Sequence, residues 1–155
     1  MHSEDDIPSA DPQIRLEYEA ALGRFVLAHN EVDYYLGQII GLSLDRLSET
    51  NTDIAQTFAG RLAQLAILRH SNACPELSKP NLARLAQLNA SRNRLAHGHF
   101  DQNPFDGTYK LVEKARERDF PIAVIAAEAA ELAGIAETLR DIKFWFMLAD
   151  LDDLD

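Results

Sequence analysis

The sequence predicts an all-α protein: an up-down bundle of four main helices with a short hairpin or loop insertion before the last helix. Three observations predict it. Apolar residues recur at about 100° per residue over four separate stretches. Seven Gly and six Pro in 155 residues are too few for a β-rich or linker-rich chain. Only one run, Thr108–Val112, favours strand.

Each element follows from its own pattern. Residues 1–10 are polar and acidic and read as a flexible tail, leaving a single helical domain over 11–149 and an acidic tail over 150–155. In the first helix, roughly 11–46, Ile14, Tyr18, Ala21, Phe25, Ala28, Val32, Leu36 and Ile39 form one stripe that passes Gly23, where a bend is possible. Thr52 or Asp53 is placed to cap a second helix over about 53–70, with Ile54, Phe58, Leu62 and Leu65 inward. Cys74, Pro75 and Pro80 mark a connector. A third helix opens at Ser78–Asn81, runs to His97 and stops at Gly98. Asp106-Gly107 signals a turn within 99–113. Pro121 opens the last helix, about 122–149, on a stripe of Ile125, Ala129, Leu132, Ile135, Leu139, Ile142 and Phe146.

Composition narrows the function classes. With 25 acids against 15 bases the net charge is −10, which excludes indiscriminate whole-surface binding to nucleic acid or anionic membrane. A single cysteine, Cys74, excludes an intramolecular disulfide framework and a cysteine metal cage. Its place beside Pro75 with no evident base suits an inert thiol. No apolar run approaches the ~20 residues of a membrane span, and Met1–Ala10 has no apolar signal core, so a cytoplasmic setting is expected. No cofactor is implied. The charge is nonetheless uneven. From Arg61 to Phe100, six bases (Arg61, Arg69, Lys79, Arg84, Arg92 and Arg94) face one acid, Glu76, and the same stretch holds His70, His97 and His99. A local basic face on an acidic body suits phosphate binding; pairing with acids on neighbouring helices is the plainer alternative.

The sharpest signal lies in the third helix. Leu82, Leu85, Leu88, Leu95 and Ala96 define its apolar face, and Arg92 projects near the middle of it, with Asn89 and Asn93 nearby. Arg84, Gln87, Ser91 and Arg94 fall on the other, solvated side. A guanidinium on a core-facing stripe is costly unless it is paired or opens into a cleft. His29 and Asp33 on the first helix are candidate partners, and a buried Arg92–Asp33 pair would be purely structural. His97 shares a face with Asn93 and can move protons near neutrality, although a histidine at a helix C-terminus also simply suits the dipole. His97 and His99 with His29 could instead hold a metal. Phe100, Phe105 and Tyr109 could stack on bases or hold down a hairpin. Phe144, Trp145 and Leu148 point away from the last helix's core stripe. Either the 99–113 insertion or a second subunit must cover them, which favours a homodimer.

The string Arg92-Asn93-Arg94-Leu95-Ala96-His97, within SRNRLAHGHF, resembles the Arg-x4-6-His signature of the HEPN superfamily of small helical domains. The order of elements resembles that family too, and Asp33 matches the acid that many members carry on the first helix. The resemblance implies metal-independent RNA cleavage, often by dimeric toxins or defence effectors with an antitoxin protein as partner. Carried over, Arg92 binds the scissile phosphate, His97 moves the 2′-hydroxyl proton, and Asn93 orients His97 or the phosphate. Asp33 and His29 are supporting residues, and Arg94, His99 and Arg69 are candidate phosphate or RNA contacts. Other members are inactive and serve as dimerisation or nucleotide- or protein-binding modules.

Overall fold

The computed structural model describes residues 9–113 and 116–152. The chain is mostly α-helical, with a small three-stranded antiparallel sheet. In order come α1 (Pro12–Arg46), α2 (Phe58–Leu68), a 3-10 turn (Pro75–Ser78), α3 (Leu82–His97), β1 (His99–Gln102), β2 (Tyr109–Glu113), β3 (Arg116–Asp119) and α4 (Ile122–Asp152). Residues 1–8 and 153–155, parts of the two expected tails, lie outside the described residues. Ala10 is tied down: its N–H donates to the Pro104 carbonyl at 3.0 Å. The acidic end is helical through Asp152 rather than stopping at 149.

The helix starts have chemical causes. Asp11 accepts from the Gln13 N–H, Thr57 from Gly60 and Asn81 from Arg84, each satisfying an amide with no partner inside the helix. α1 runs unbroken through Gly23. α2 begins at Phe58, five residues later than the pattern suggests. Its own side chains are the reason: Gln64 bonds the Asp53 carbonyl and the Ala55 N–H, and Arg61 Nε donates to the Ala55 carbonyl, which holds 53–56 off the helix. Ile54 is therefore only partly buried, against Gly41. The connector hides Cys74 and Leu77 completely or nearly so. Burial pushes the Cys74 thiol up, in keeping with an inert group.

The helices do not alternate strictly up and down. Tyr18 reaches Phe120 at the start of α4, while Arg46 reaches Phe146 and Asp150 near its end. The separations in sequence, 102, 104 and 100, stay nearly constant, so α1 and α4 run parallel. α2 also starts out along α1, with Phe58 stacked on His29 and Arg61 against Asp33. α3 runs opposite to α4, pairing Arg84 with Glu131 and Ser91 with Glu128. The cause is the segment between α1 and α2, which doubles back along α1 before α2 begins.

The insertion is a meander of three strands rather than one hairpin. β2 pairs with β1 (Phe100 opposite Leu111) and with β3 (Leu111 opposite Arg118). β3 reads Arg-Glu-Arg-Asp and carries no strand-favouring residue; cross-strand charge pairing, including Lys110 Nζ to Glu117 at 3.2 Å, supports it. The turn is built on Gly107, whose φ of +76° suits glycine, and on Asp106, whose Oδ1 accepts from the Thr108 N–H and hydroxyl. Tyr109 stacks on Tyr18 at 4.2 Å and Phe100 meets the same ring edge-on, so both hold the sheet to α1. Phe105 is exposed. Gly98 ends α3 with an extended φ of −77° and not a left-handed one. Glycine is needed there because a Cβ would overlap the Leu111 side chain.

Arg46 joins three parts of the chain. Its guanidinium donates to the Ala73 carbonyl, to Glu76, to the Phe146 carbonyl and to Asp150, and lies 4.0 Å over the Phe146 ring. Arg46→Ala leaves two carboxylates and two carbonyls without this donor, and an unfolding stability lower by about 2–4 kcal/mol is expected in urea denaturation. A change within about 0.5 kcal/mol would show the joint to be dispensable.

Candidate functional site

α3 separates two polar clusters. Its Arg84–Ser91 side faces α4, and its Asn89–Arg92 side faces α1 and α2. On the α4 side Ser91 is 2% exposed, contrary to its expected place in solvent. Its hydroxyl donates to Glu128 Oε1 at 3.1 Å and accepts from Arg94 Nη2 at 3.1 Å. Arg84 makes a two-pronged pair with Glu131, at 2.7 and 2.6 Å. The reason for the shift is that α3 is wedged between neighbours and buries both flanks of its leucine ridge, while Ala96 faces solvent. Arg94 is thus committed to the α3–α4 seam. Glu128 Oε2 is buried there without a hydrogen-bond partner among the described residues.

On the other side sits His29. It is 4% exposed, its ring stacks on Phe58 at 4.5 Å, and its Nε2 lies 3.2 Å from Asn89 Oδ1. Burial lowers its affinity for a proton; the bond to Asn89 opposes this, the nearby Arg92 charge adds to it, and Asp33 opposes it. Asp33 does not pair with Arg92. Arg61 Nη1 stands 2.9 Å from Asp33 Oδ1 and directs its proton to the Asp33 carbonyl at 2.7 Å. That leaves Oδ1 in ion-pair contact but outside hydrogen-bond alignment. The Arg61 guanidinium also lies 3.3 Å from the position a Gly37 side chain would take, so glycine makes room for it. No spacing in the sequence links Asp33 to Arg61, and their pairing depends on the late start of α2.

Arg92 is half-buried, and no salt bridge to it exists among the described residues. Its Nη1 donates to Asn93 Oδ1 at 3.3 Å. His97, the last residue of α3, is exposed. On an ideal helix Asn93 and His97 are about 40° apart around the axis, but Arg92 and His97 are about 140° apart with an axial rise of ~7.5 Å. One α3 therefore presents the guanidinium and the imidazole from different sides of its final turns.

The remaining candidates divide by position. His99 is exposed on β1, one residue beyond Gly98, and so stays at the motif end. Arg69 caps α2 at the opposite end, where Leu44, Leu47 and Leu68 share a depression, and does not join the motif. The three-histidine metal arrangement does not form: no group of three or more His, Cys, Asp or Glu is placed to hold a metal among the described residues. Phe144 and Trp145 are each 55% exposed, and the sheet lies at the other end of α4, so the insertion leaves them uncovered. No helix among the described residues is long and apolar enough to cross a membrane. Comparison with protein-family models, curated proteins and solved structures gives no match.

The depressed proton affinity of His29 has a consequence for stability. The unfolded chain protonates this residue below about 6.5 and the folded chain resists, so its contribution is present above that pH and is lost as pH falls. The slope is at most ~1.4 kcal/mol per pH unit. His29→Gln is expected to lose less stability than wild type between pH 7 and pH 5 in denaturant titrations. Parallel losses would show that His29 titrates normally in the folded state.

Proposed function

We propose that this protein is a HEPN-like, metal-independent endoribonuclease that cleaves RNA through the ribose 2′-hydroxyl. In this reading the helices form a HEPN-like bundle with the motif at the end of α3. The observation that carries it is Arg92: a half-buried guanidinium, without a carboxylate partner among the described residues, bonded to Asn93 on the helix that ends in the exposed His97. Of the other half-buried arginines, Arg46, Arg61 and Arg84 have acids, while Arg94 has none among the described residues and is held by the Ser91 hydroxyl in the α3–α4 seam. An arginine left without one is suited to a phosphate.

The chemistry follows from these groups. Arg92 binds the scissile phosphate and offsets the charge that develops on its oxygens. His97 accepts the 2′-hydroxyl proton as the 2′-oxygen attacks phosphorus. The bond from phosphorus to the 5′-oxygen breaks, the 5′-oxygen takes a proton from solvent, and a 2′,3′-cyclic phosphate remains. The imidazolium then releases its proton to water. Asn93 steers the guanidinium it already bonds, and His99 is a candidate phosphate or RNA contact at the same end. Because Arg92 and His97 point to different sides, the reading includes a homodimer in which a second copy supplies the missing group. A cytoplasmic toxin or defence role with an antitoxin protein partner is the biological form of this proposal.

A second reading is a catalytically inactive dimerisation module, or one that binds a nucleotide or protein. It is favoured by the exposed Phe144, Trp145, Met147 and Leu151 and by the engagement of Asn93 with Arg92 rather than with His97.

The deciding experiment is RNA cleavage by purified protein in EDTA. Wild type is expected to leave cyclic phosphate ends, and Arg92→Ala and His97→Ala each to lose about 10²–10⁴-fold in rate. Equal activity in all three would mark a contaminant and overturn the nuclease reading. Arg92-dependent binding of RNA without cleavage would establish the module instead.

A further inference from the structure

A cavity of about 420 Å³ opens between the start of α1, the turn at Asp106–Thr108 and the entry to α4. It shares no residue with α3 and its motif. Its volume is that of a small-molecule site, commonly a few hundred Å³. The walls are apolar: Ile14 from α1, Ile122 from α4, and the rings of Tyr18, Tyr109 and Phe120. The turn cannot settle into this space, because Gly107 already bears on α1. A Cβ at 107 would stand 2.8 Å from Ile14 Cδ1. Tyr18 and Tyr109 are stacked on one another at 4.2 Å, which keeps both rings on the wall.

Polar groups also line the cavity. Asp106 is fixed in place: its Oδ1 accepts from the Thr108 N–H at 2.9 Å and from the Thr108 hydroxyl at 2.7 Å. These bonds hold its carboxyl below the usual carboxylate range, and Oδ2 stays outside both of them. Asp119, the last residue of β3, lies opposite Lys110, but Lys110 gives its ammonium to Glu117 at 3.2 Å. Neither aspartate has an ion-pair partner among the described residues. Tyr18 is 3% exposed, and its hydroxyl makes one long bond, 3.4 Å, to the Phe120 carbonyl. Burial, and then Tyr109, push this phenol up to about 12, so it stays protonated and its oxygen can still accept.

We propose that this cavity binds a small organic cation, an ammonium group carried on a short aromatic or aliphatic arm. The arm packs on the apolar walls and leaves water. The ammonium meets Asp106 and Asp119. It offers three donors and no acceptor, which suits carboxylates and a phenolic oxygen together. Aromatic walls add to the attraction, because ring faces favour a nearby cation. An anion would be repelled by both carboxylates, and a neutral occupant would leave them without a charged partner. The net charge of −10 favours approach of a cation from a distance. None of these residues belongs to the proposed cleavage site, so this inference and the nuclease reading stand or fall separately.

The test uses tryptamine, tryptophol and indole-3-acetate. They share an indole arm and end it in a cation, a neutral hydroxyl and an anion. Each is titrated into the full-length protein at neutral pH, and the amide NMR signals of Gly107, Thr108 and Ile122 are followed. Tryptamine is expected to shift these signals and to bind about tenfold tighter than tryptophol, with indole-3-acetate weakest. Asp106→Asn keeps the acceptor that Thr108 uses and removes the charge. It is expected to bring tryptamine down to about the affinity of tryptophol, and Asp119→Asn to weaken tryptamine by about threefold. Ile122→Trp fills the cavity from the α4 side and should weaken tryptamine and tryptophol alike. Equal affinity for the three compounds would overturn the proposal, as would undiminished tryptamine binding by folded Ile122→Trp. Unmoved signals at ~10 mM tryptamine would overturn it too. The wild-type series decides alone if a variant fails to fold.

Discussion

The parallel pairing of α1 with α4 is the constraint on which the rest of the structure depends. The two helices bury Phe25, Leu36, Ile39, Ile40, Ile125, Leu132 and Phe146 in one continuous core. Their relative sliding is stopped at both ends. At one end Tyr18 is enclosed by Phe100 and Tyr109 and reaches the Phe120 carbonyl. At the other, Arg46 grips α4 and the connector together. Two long helices running the same way require the chain to return between them. The return is made by α3 and by the doubled-back segment before α2. α3 is therefore a wedge with neighbours on both flanks, and that is why polar residues on opposite sides of it are buried.

The wedge explains what was legible in the sequence and what was not. All four helices could be read, because periodicity is local, but the cap expected for α2 at Thr52 or Asp53 falls on Thr57. The position of Arg92 near the apolar stripe could be read for the same reason. The direction of the helices could not, because it is set by contacts between residues about a hundred positions apart. Ser91 reads as solvated from one helix face alone; only a second neighbour on that flank buries it. β3 was invisible because its four residues are all charged, and its pairing with β2 overrides propensity. Arg61 is not legible as the partner of Asp33, because the sequence offers Arg92 as a candidate and hides the late start of α2 that brings Arg61 into reach.

That change of partner shapes the chemistry. Had Asp33 paired with Arg92, the guanidinium would be neutralised within the chain and unavailable to an anion. With Asp33 engaged by Arg61, Arg92 has no carboxylate partner among the described residues and is bonded to the amide of Asn93. Asp33 still favours protonation of His29, but burial of the ring outweighs it. One ion pair between α1 and α2 thus leaves the guanidinium of a third helix without a carboxylate partner among the described residues.

The apolar surface of α4 bears on how such a site could be completed. Trp145 lies 17 residues beyond Glu128, the α4 residue level with Ser91, so it stands ~25 Å along the helix from the Arg92 region. A two-fold interface centred on Phe144 and Trp145 would place the two motifs at the far ends of the pair, each with only its own side chains. An interface at the end of α3 would set one protomer's His97 against the other's Arg92 and overcome the ~140° that separates them on a single helix. Catalysis shared between copies therefore requires contact at the motif end, whatever the aromatic end binds. The exposed aromatics and the exposed histidine are two separate surfaces of one short protein.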